Sequence, residues 1–126
     1  MSNWTHVAGI IRIDSFRFED KIPDFDEIIG RELHFIDTIA KWDDAHKHPE
    51  KYLPLGSEGS LMKSVWINPD RGDIAAYTVS IFGDLRDHHD AQEIIDWFKK
   101  ICDKFTVRNA IIVAENEING EISWTY

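Results

Sequence analysis

Ala91, Ile94, Ile95, Phe98, Ile101, Cys102 and Phe105 recur at spacings of three and four, and no other stretch constrains the fold as tightly. A stripe of that period predicts one apolar face of a helix over about 90 to 105, and such a face is stable only when laid on another apolar surface. The rest of the chain has to supply that surface. THVAGIIRIDSF (5 to 16) alternates as a strand does, with Val7, Ile11 and Ile13 on one side and His6, Ala8, Ile10 and Arg12 on the other. Apolar residues on both sides mark it as a central strand. Two further alternating runs follow. SLMKSVWINP sets Leu61, Lys63, Val65 and Ile67 opposite Met62, Ser64 and Trp66, stops at the turn string NPDRG, and resumes as GDIAAYTVSIFG, so 60 to 83 reads as a β-hairpin. In VRNAIIVAENEINGEISWTY, Asn119-Gly120 is the turn signal of a closing hairpin, with Ile122, Trp124 and Tyr126 alternating with Glu121, Ser123 and Thr125.

A second helix is read in PDFDEIIG, where Asp24 is an N-cap with Glu27 three residues on and the helix ends near Gly30. The stretch 31 to 55 is less legible: RELHFIDTIAKW fits a helix or a strand, and 43 to 59, punctuated by Pro49 and Pro54, reads as mostly loop. Strand, helix, two strands, helix and hairpin give an α+β chain. Its order is that of a ferredoxin-like β-α-β-β-α-β antiparallel sheet with an extra C-terminal strand and two helices on one face. With 126 residues, enough for one core, residues 1–126 are read as a single domain. The uncovered sheet face is expected to carry Trp66, Tyr77 or their neighbours with small and polar residues. Such a face is either covered by a partner, a homo-oligomer included, or used for binding.

Composition narrows the function classes. A chain with 43% apolar residues and five Trp packs a core without staples, and its single Cys102 rules out an internal disulfide or a cysteine-rich zinc cage. That residue falls on the helix stripe and is read as a buried thiol. No apolar run approaches the roughly 20 residues of a membrane span, and MSNWTHVAGIIRID has no basic leader, so a cytoplasmic protein without a membrane contact is expected. A formal charge of −9 disfavours broad attachment to nucleic acid or anionic lipid, while leaving room for one anion held locally.

GDLRDHHDAQEIIDWF (83 to 98) sets His88, His89, Asp84, Asp87 and Asp90 against the start of the predicted helix. Asp90 with Glu93 reads as a capping box, and Asp87 could cap one turn earlier. His88 and His89 are adjacent and diverge, so they are poorly placed to chelate one ion and are read as exposed imidazoles before the helix. DDAHKHPE offers Asp43, Asp44, His46 and His48, but on a stretch read as loop. No GxSxG elbow, Walker loop, HExxH or dinucleotide glycine pattern is present. No catalytic residue, metal or cofactor is therefore assigned, and the chain is not read as an enzyme. LPLGSEGSLMKSVW (53 to 66) points elsewhere, since Gly56, Ser57, Gly59 and Ser60 can turn backbone N–H groups inward beside Lys63, Ser64 and Trp66. Such a loop could hold a phosphate or carboxylate and stack a ring. With Arg71, Arg86 and Arg108 as further sources of charge, the candidate ligand-binding set is Ser57, Ser60, Lys63, Trp66, Arg86 and His88.

MSNWTHVAGIIRID, GDLRDHHDAQEIIDWF and NGEISWTY resemble segments of small uncharacterised phage or prophage proteins of Gram-positive hosts. The resemblance carries over no site residue. It implies a viral setting, where small non-enzymatic proteins inhibit or sequester a host component, in the host cell cytoplasm. The expectation is therefore a phage-type anti-defence binding protein that sequesters a small anionic ligand, a signalling nucleotide, in a sheet-face or inter-subunit pocket. Two alternatives stand beside it: an acidic inhibitor of a host protein that mimics nucleic acid, and a metal-dependent hydrolase built on His88 and His89.

Overall fold

The elements run β1 (Trp4–Phe16), α1 (Phe25–Ile28), α2 (Ile39–Lys47), β2 (Leu55–Gly56), β3 (Gly59–Ser60), β4 (Met62–Ile67), β5 (Ile74–Arg86), α3 (Ala91–Cys102), β6 (Val107–Asn116) and β7 (Gly120–Thr125), with a 3₁₀ turn at Pro49–Lys51. The computed structural model describes residues 2–16, 22–68, 74–88 and 90–126. Five strands form one sheet in the order β4-β5-β1-β6-β7, and every neighbouring pair is antiparallel. The chain is thus α+β, with β1 in the middle of the sheet as its two-sided apolar pattern requires. β2 and β3 make a separate two-stranded ribbon.

Strand alternation sends Val7, Ile11 and Ile13 of β1, Tyr77, Val79 and Ile81 of β5, and Ala110, Ile112 and Ala114 of β6 to one face. Onto that face α3 lays Ile94, Ile95, Phe98 and Ile101, resting mainly on β6 and β7. Phe25 of α1 fills the other end of the same layer, edge-on to Tyr77 with ring centroids 5.7 Å apart. α3 begins where the sequence places it, because Asp90 accepts hydrogen bonds from the backbone N–H groups of Gln92 (3.0 Å) and Glu93 (3.4 Å). Asp24 caps α1 in the same way through Glu27 N–H. Cys102 is buried as read, and burial pushes its thiol up to about 11, far from a reactive thiolate.

Several details differ from the sequence reading, each for a non-local reason. Among the described residues there are three α-helices where the sequence reading has two. α2 starts at a Thr38 cap inside the stretch that fitted either helix or strand, and 43 to 59 holds the rest of α2, the 3₁₀ turn and the β2–β3 ribbon instead of mostly loop. α2 does not join the sheet layer; its Ala45 packs with Leu33 and Tyr52 in a small satellite cluster. Tyr77, expected on the uncovered face, lies wholly in the core, while Trp66 does face outward. Asp87 caps nothing: its φ of +59° turns the chain, and its carboxylate accepts from Ser57 Oγ at 3.0 Å. The last hairpin closes with residues 117 to 119 as its loop, because buried Asn116 accepts from the N–H groups of Ile118 (3.0 Å) and Asn119 (2.9 Å) through Oδ1, leaving Gly120 at φ +92°. The NPDRG turn is predicted across residues that include 69 to 73, which lie outside the described residues, as does Arg71.

Phe98 is fully buried beneath the helix and meets Trp124 edge-on at 6.0 Å. Its replacement by alanine is expected to cost about 3 to 5 kcal/mol in denaturant unfolding, as for other large-to-small core changes. A cost below about 1 kcal/mol would remove this helix face from the core.

Candidate functional surface

The six residues of the predicted ligand set lie on different parts of the molecule. Ser57 and Arg86 meet where the β2–β3 turn touches the end of β5, with Ser57 N–H donating to Arg86 C=O at 2.8 Å. The Arg86 guanidinium is engaged by Glu58 (2.8 Å) and Ser2 (2.9 Å). Ser60 is buried and spends its hydroxyl on the backbone, accepting from Leu33 N–H and donating to Leu61 C=O, both at 2.8 Å. Lys63 points to the helix side with its side chain only 8% exposed, where its ammonium binds Asp26 and donates to Gly30 C=O at 2.8 Å. Trp66 lies on the opposite face of the same strand, so Lys63 and Trp66 cannot clasp one ligand from one side.

His88 is not the exposed imidazole expected from sequence, because its side chain is 13% exposed. It lines a cleft of about 370 Å³ with Pro49, Tyr52, Leu53, Pro54, Leu55, Glu93, Ile94 and Trp97. Its carbonyl accepts from Thr5 Oγ1 (2.5 Å) and Asn116 Nδ2 (3.2 Å), which ties the β5–α3 connection to β1 and β6. Among the described residues no group of three or more His, Cys, Asp and Glu side chains is placed to hold a metal ion. His89 lies outside the described residues. Likewise, no helix among them is long and apolar enough to cross a membrane.

The surface that stands out is the uncovered face of the sheet. Strand register sorts it into four rows across the strands. The first joins Asp84, His6, Glu115 and Glu121; the second Met62, Phe82, Ala8, Val113 and Ser123. The third joins Ser64, Ser80, Ile10, Ile111 and Thr125; the fourth Trp66, Thr78, Arg12 and Asn109. Ile10 (44%), Phe82 (44%), Ile111 (48%) and Trp66 (54%) are all substantially exposed there. The antiparallel sheet thus carries four large apolar side chains in water on one face. Its ends carry opposite character. At the acidic end His6 Nδ1 lies 2.5 Å from Asp84 Oδ1. At the other end Arg12 has no hydrogen-bond or ion-pair partner among the described residues, while Arg108 is held by Asp14 at 3.1 Å.

A second apolar feature was invisible in sequence. Phe35, Ile36 and Ile39 protrude from a tight turn in which His34 N–H donates to the Asp37 carboxylate at 2.7 Å and Asp37 N–H donates to His34 C=O at 3.0 Å. The first of these bonds holds the Asp37 carboxyl below its ordinary value, with Lys41 adding to it. Among the described residues all three stay exposed, at 70%, 91% and 82%.

Comparison with protein-family models, curated proteins and solved structures finds no match to the chain.

The Asp84 hydrogen bond, with further help from Glu117 and Glu115, raises the His6 pKa above its ordinary value near 6.5. A group raised in the folded state stabilises that state fully below its unfolded pKa, and the contribution fades as pH rises through the folded one. Proton NMR titration of His6 should give a midpoint above 6.5 that falls back toward it in Asp84→Asn. A midpoint at or below 6.5 in the parent protein would show that the pair does not form in solution.

Proposed function

We propose that the protein is a non-enzymatic binding protein whose working surface is the uncovered sheet face, and that its ligand is a small planar anion of the nucleotide kind. The observation that carries this reading is the fourth row, where exposed Trp66 and Arg12, which has no ion-pair partner among the described residues, stand on one face with only Thr78 between them. Two strand spacings separate their backbones by roughly 10 Å, a span that lets a base stack on the indole while its phosphate reaches the guanidinium. Asn109 continues the row beyond Arg12 and offers an amide for hydrogen bonding. The overall charge of −9 is consistent with a site for one anion and opposes a polyanion.

The strand order supports the finer architectural reading as well. A crossover carrying α1 between β1 and β4, a β4–β5 hairpin and a crossover carrying α3 match a ferredoxin-like unit with β7 added at one edge, α2 being an insertion in the first crossover. In that arrangement the sheet face opposite the helices is the natural binding surface. Sequestration of a signalling nucleotide, in the viral setting that the sequence texture implies, requires binding and no chemistry.

The test is nucleotide binding by tryptophan fluorescence and thermal shift, at micromolar protein, with adenosine and guanosine monophosphates and a cyclic dinucleotide. A bound ligand raises the apparent melting temperature, and Trp66→Ala and Arg12→Ala should each weaken binding by about tenfold or more, one lost strong contact being about 1.4 kcal/mol. Ser57→Ala should bind as the parent does. Loss of binding in Arg86→Ala or His88→Ala with Trp66→Ala unaffected would move the site away from the sheet face. No binding by the parent at millimolar nucleotide would end the reading.

A further inference from the structure

We infer that the cleft beside His88 is a further binding site and that it takes a small free phenol, an aromatic body of one or two rings bearing a neutral hydroxyl. The site lies against α3, away from Trp66 and Arg12, and does not depend on a nucleotide at the sheet face.

Its walls come from two apolar clusters. Ile94 and Trp97, in the first turns of α3, belong with the sheet layer, while Tyr52 and Leu55 belong with the satellite cluster around Leu33 and Ala45. α3 rests mainly on β6 and β7, and the segment 49 to 55 is fastened elsewhere, with Leu53 N–H donating to Arg31 C=O and Leu61 N–H to Pro54 C=O, both at 3.0 Å. The seam between them is the cleft of about 370 Å³. A cavity of about 150 Å³ accommodates a benzene ring, so the cleft has room for one or two rings.

The hydrogen-bonding groups around the cleft exclude most head groups. Pro49 and Pro54 have no N–H, the N–H groups of Tyr52 and Leu53 are spent on Pro49 C=O (3.1 Å) and Arg31 C=O (3.0 Å), and among the described residues no Lys or Arg lines the cleft. The α3 N-terminus, the other place where an anion would settle, is filled by its own cap, Asp90. Exposed Glu93 adds a carboxylate, which repels an anion and only accepts hydrogen bonds. A carboxylate or phosphate ligand is thereby disfavoured.

His88 selects the head group. Its side chain is largely buried, its Nδ1 is shut off from water without a hydrogen-bond partner among the described residues, and its Nε2 lies 3.9 Å from Glu93 Oε2, beyond hydrogen-bond reach. A buried N–H without an acceptor is rarer than a buried lone pair without a donor, so the single proton of the neutral ring belongs on Nε2. Nε2–H then needs an acceptor while the Glu93 carboxylate needs a donor, and the gap between them admits one atom that is both. A hydroxyl oxygen is that atom; an ammonium cannot accept and a carboxylate cannot donate. A water can bridge the same two groups but leaves Leu55 and Trp97 wetted, whereas a hydroxyl carried on an aromatic ring meets the polar pair and covers the apolar walls at once.

The test uses 5-hydroxyindole, indole and indole-5-carboxylate, followed through the amide and indole resonances of ¹⁵N-labelled protein at about pH 8, where imidazole side chains are ordinarily neutral. 5-Hydroxyindole should bind in about the millimolar range, as fragments of this size do, with the largest changes at Leu55, His88 and Trp97. Indole should bind about tenfold more weakly and the carboxylate more weakly still, one hydrogen bond at a desolvated site being worth about that factor. His88→Phe keeps a ring of similar shape and removes both nitrogens. It should abolish the preference for hydroxyindole over indole while melting no lower than the parent, because the unpaired Nδ1 goes with it. A merely structural His88 would give the reverse, a lower melting temperature with the preference intact. Glu93→Ala, at an exposed position, should reduce the same preference and admit the carboxylate. N-Acetyltyrosinamide, which carries the hydroxyl on one ring with a peptide backbone attached, should bind more weakly than 5-hydroxyindole; tighter binding would give the cleft to a tyrosine of another protein and overturn the free-ligand assignment. So would no change at the cleft with about 10 mM 5-hydroxyindole, indole or the carboxylate binding as well as the hydroxyl compound, or a preference that survives His88→Phe or Glu93→Ala. Nucleotide titration reads Trp66 and Arg12 instead, so the failure of either site leaves the other standing.

Discussion

One layer of helix on a five-stranded sheet is the constraint from which the rest follows. β1 runs through the middle with neighbours on both sides, and its odd-numbered residues Val7, Ile11 and Ile13 are buried under α3 and α1. Among the described residues nothing equivalent covers its even-numbered residues, because α2 packs with Leu33 and Tyr52 in its own cluster. An antiparallel sheet tolerates one wet face, and most such faces are polar. This one keeps Ile10, Phe82, Ile111 and Trp66 in water, which is unfavourable for the isolated chain and useful for a chain that binds something.

A buried hydrogen-bond network lies near the end of the sheet where His6 and Asp84 meet. Buried Asn116 donates to Thr5 Oγ1 at 3.0 Å and to His88 C=O at 3.2 Å, while its own oxygen caps the β6–β7 turn. Thus one side chain joins β1, the entry to α3 and the last hairpin, and all of its hydrogen-bonding groups are satisfied out of water. The outer edge of β4 is blunted in a different way. The Glu32 carboxylate accepts from the Lys63 backbone N–H at 2.9 Å, and the edge is less open to stray strand pairing as a result.

How much of this was legible depends on whether the cause was local. The β1 alternation, the α3 stripe and the caps Asp24 and Asp90 are local, and all were read correctly. The 31 to 55 stretch was not, because its order comes from distant partners: Arg31 pairs with Tyr52, Leu33 with Ser60, and Asp44 accepts from the Tyr52 hydroxyl at 2.8 Å. The Gly/Ser stretch looked like an anion cradle because Lys63 and Arg86 seemed available. Their carboxylate partners, Asp26 and Glu58, lie 37 and 28 residues away and could not be assigned from spacing. Tyr77 and Trp66 were both assigned to the outer face, although the register Trp66↔Thr78 and Ile67↔Tyr77 puts them on opposite sides. The alternation puts Arg12 with His6, Ala8 and Ile10 on one side of its strand, but only the pairing of β1 with β5 and β5 with β4 brings it into one row with Trp66.

The claim that the uncovered face is the working surface is tested most directly by mapping where a ligand lands. Backbone and indole resonances of ¹⁵N-labelled protein, followed during addition of a nucleoside monophosphate at low protein concentration, report each strand separately. The account requires the largest changes at Trp66, Thr78, Arg12 and Asn109, with the first row and the β2–β3 turn little affected. Changes concentrated at Ser57, Arg86 and His88, with the fourth row silent, would contradict it.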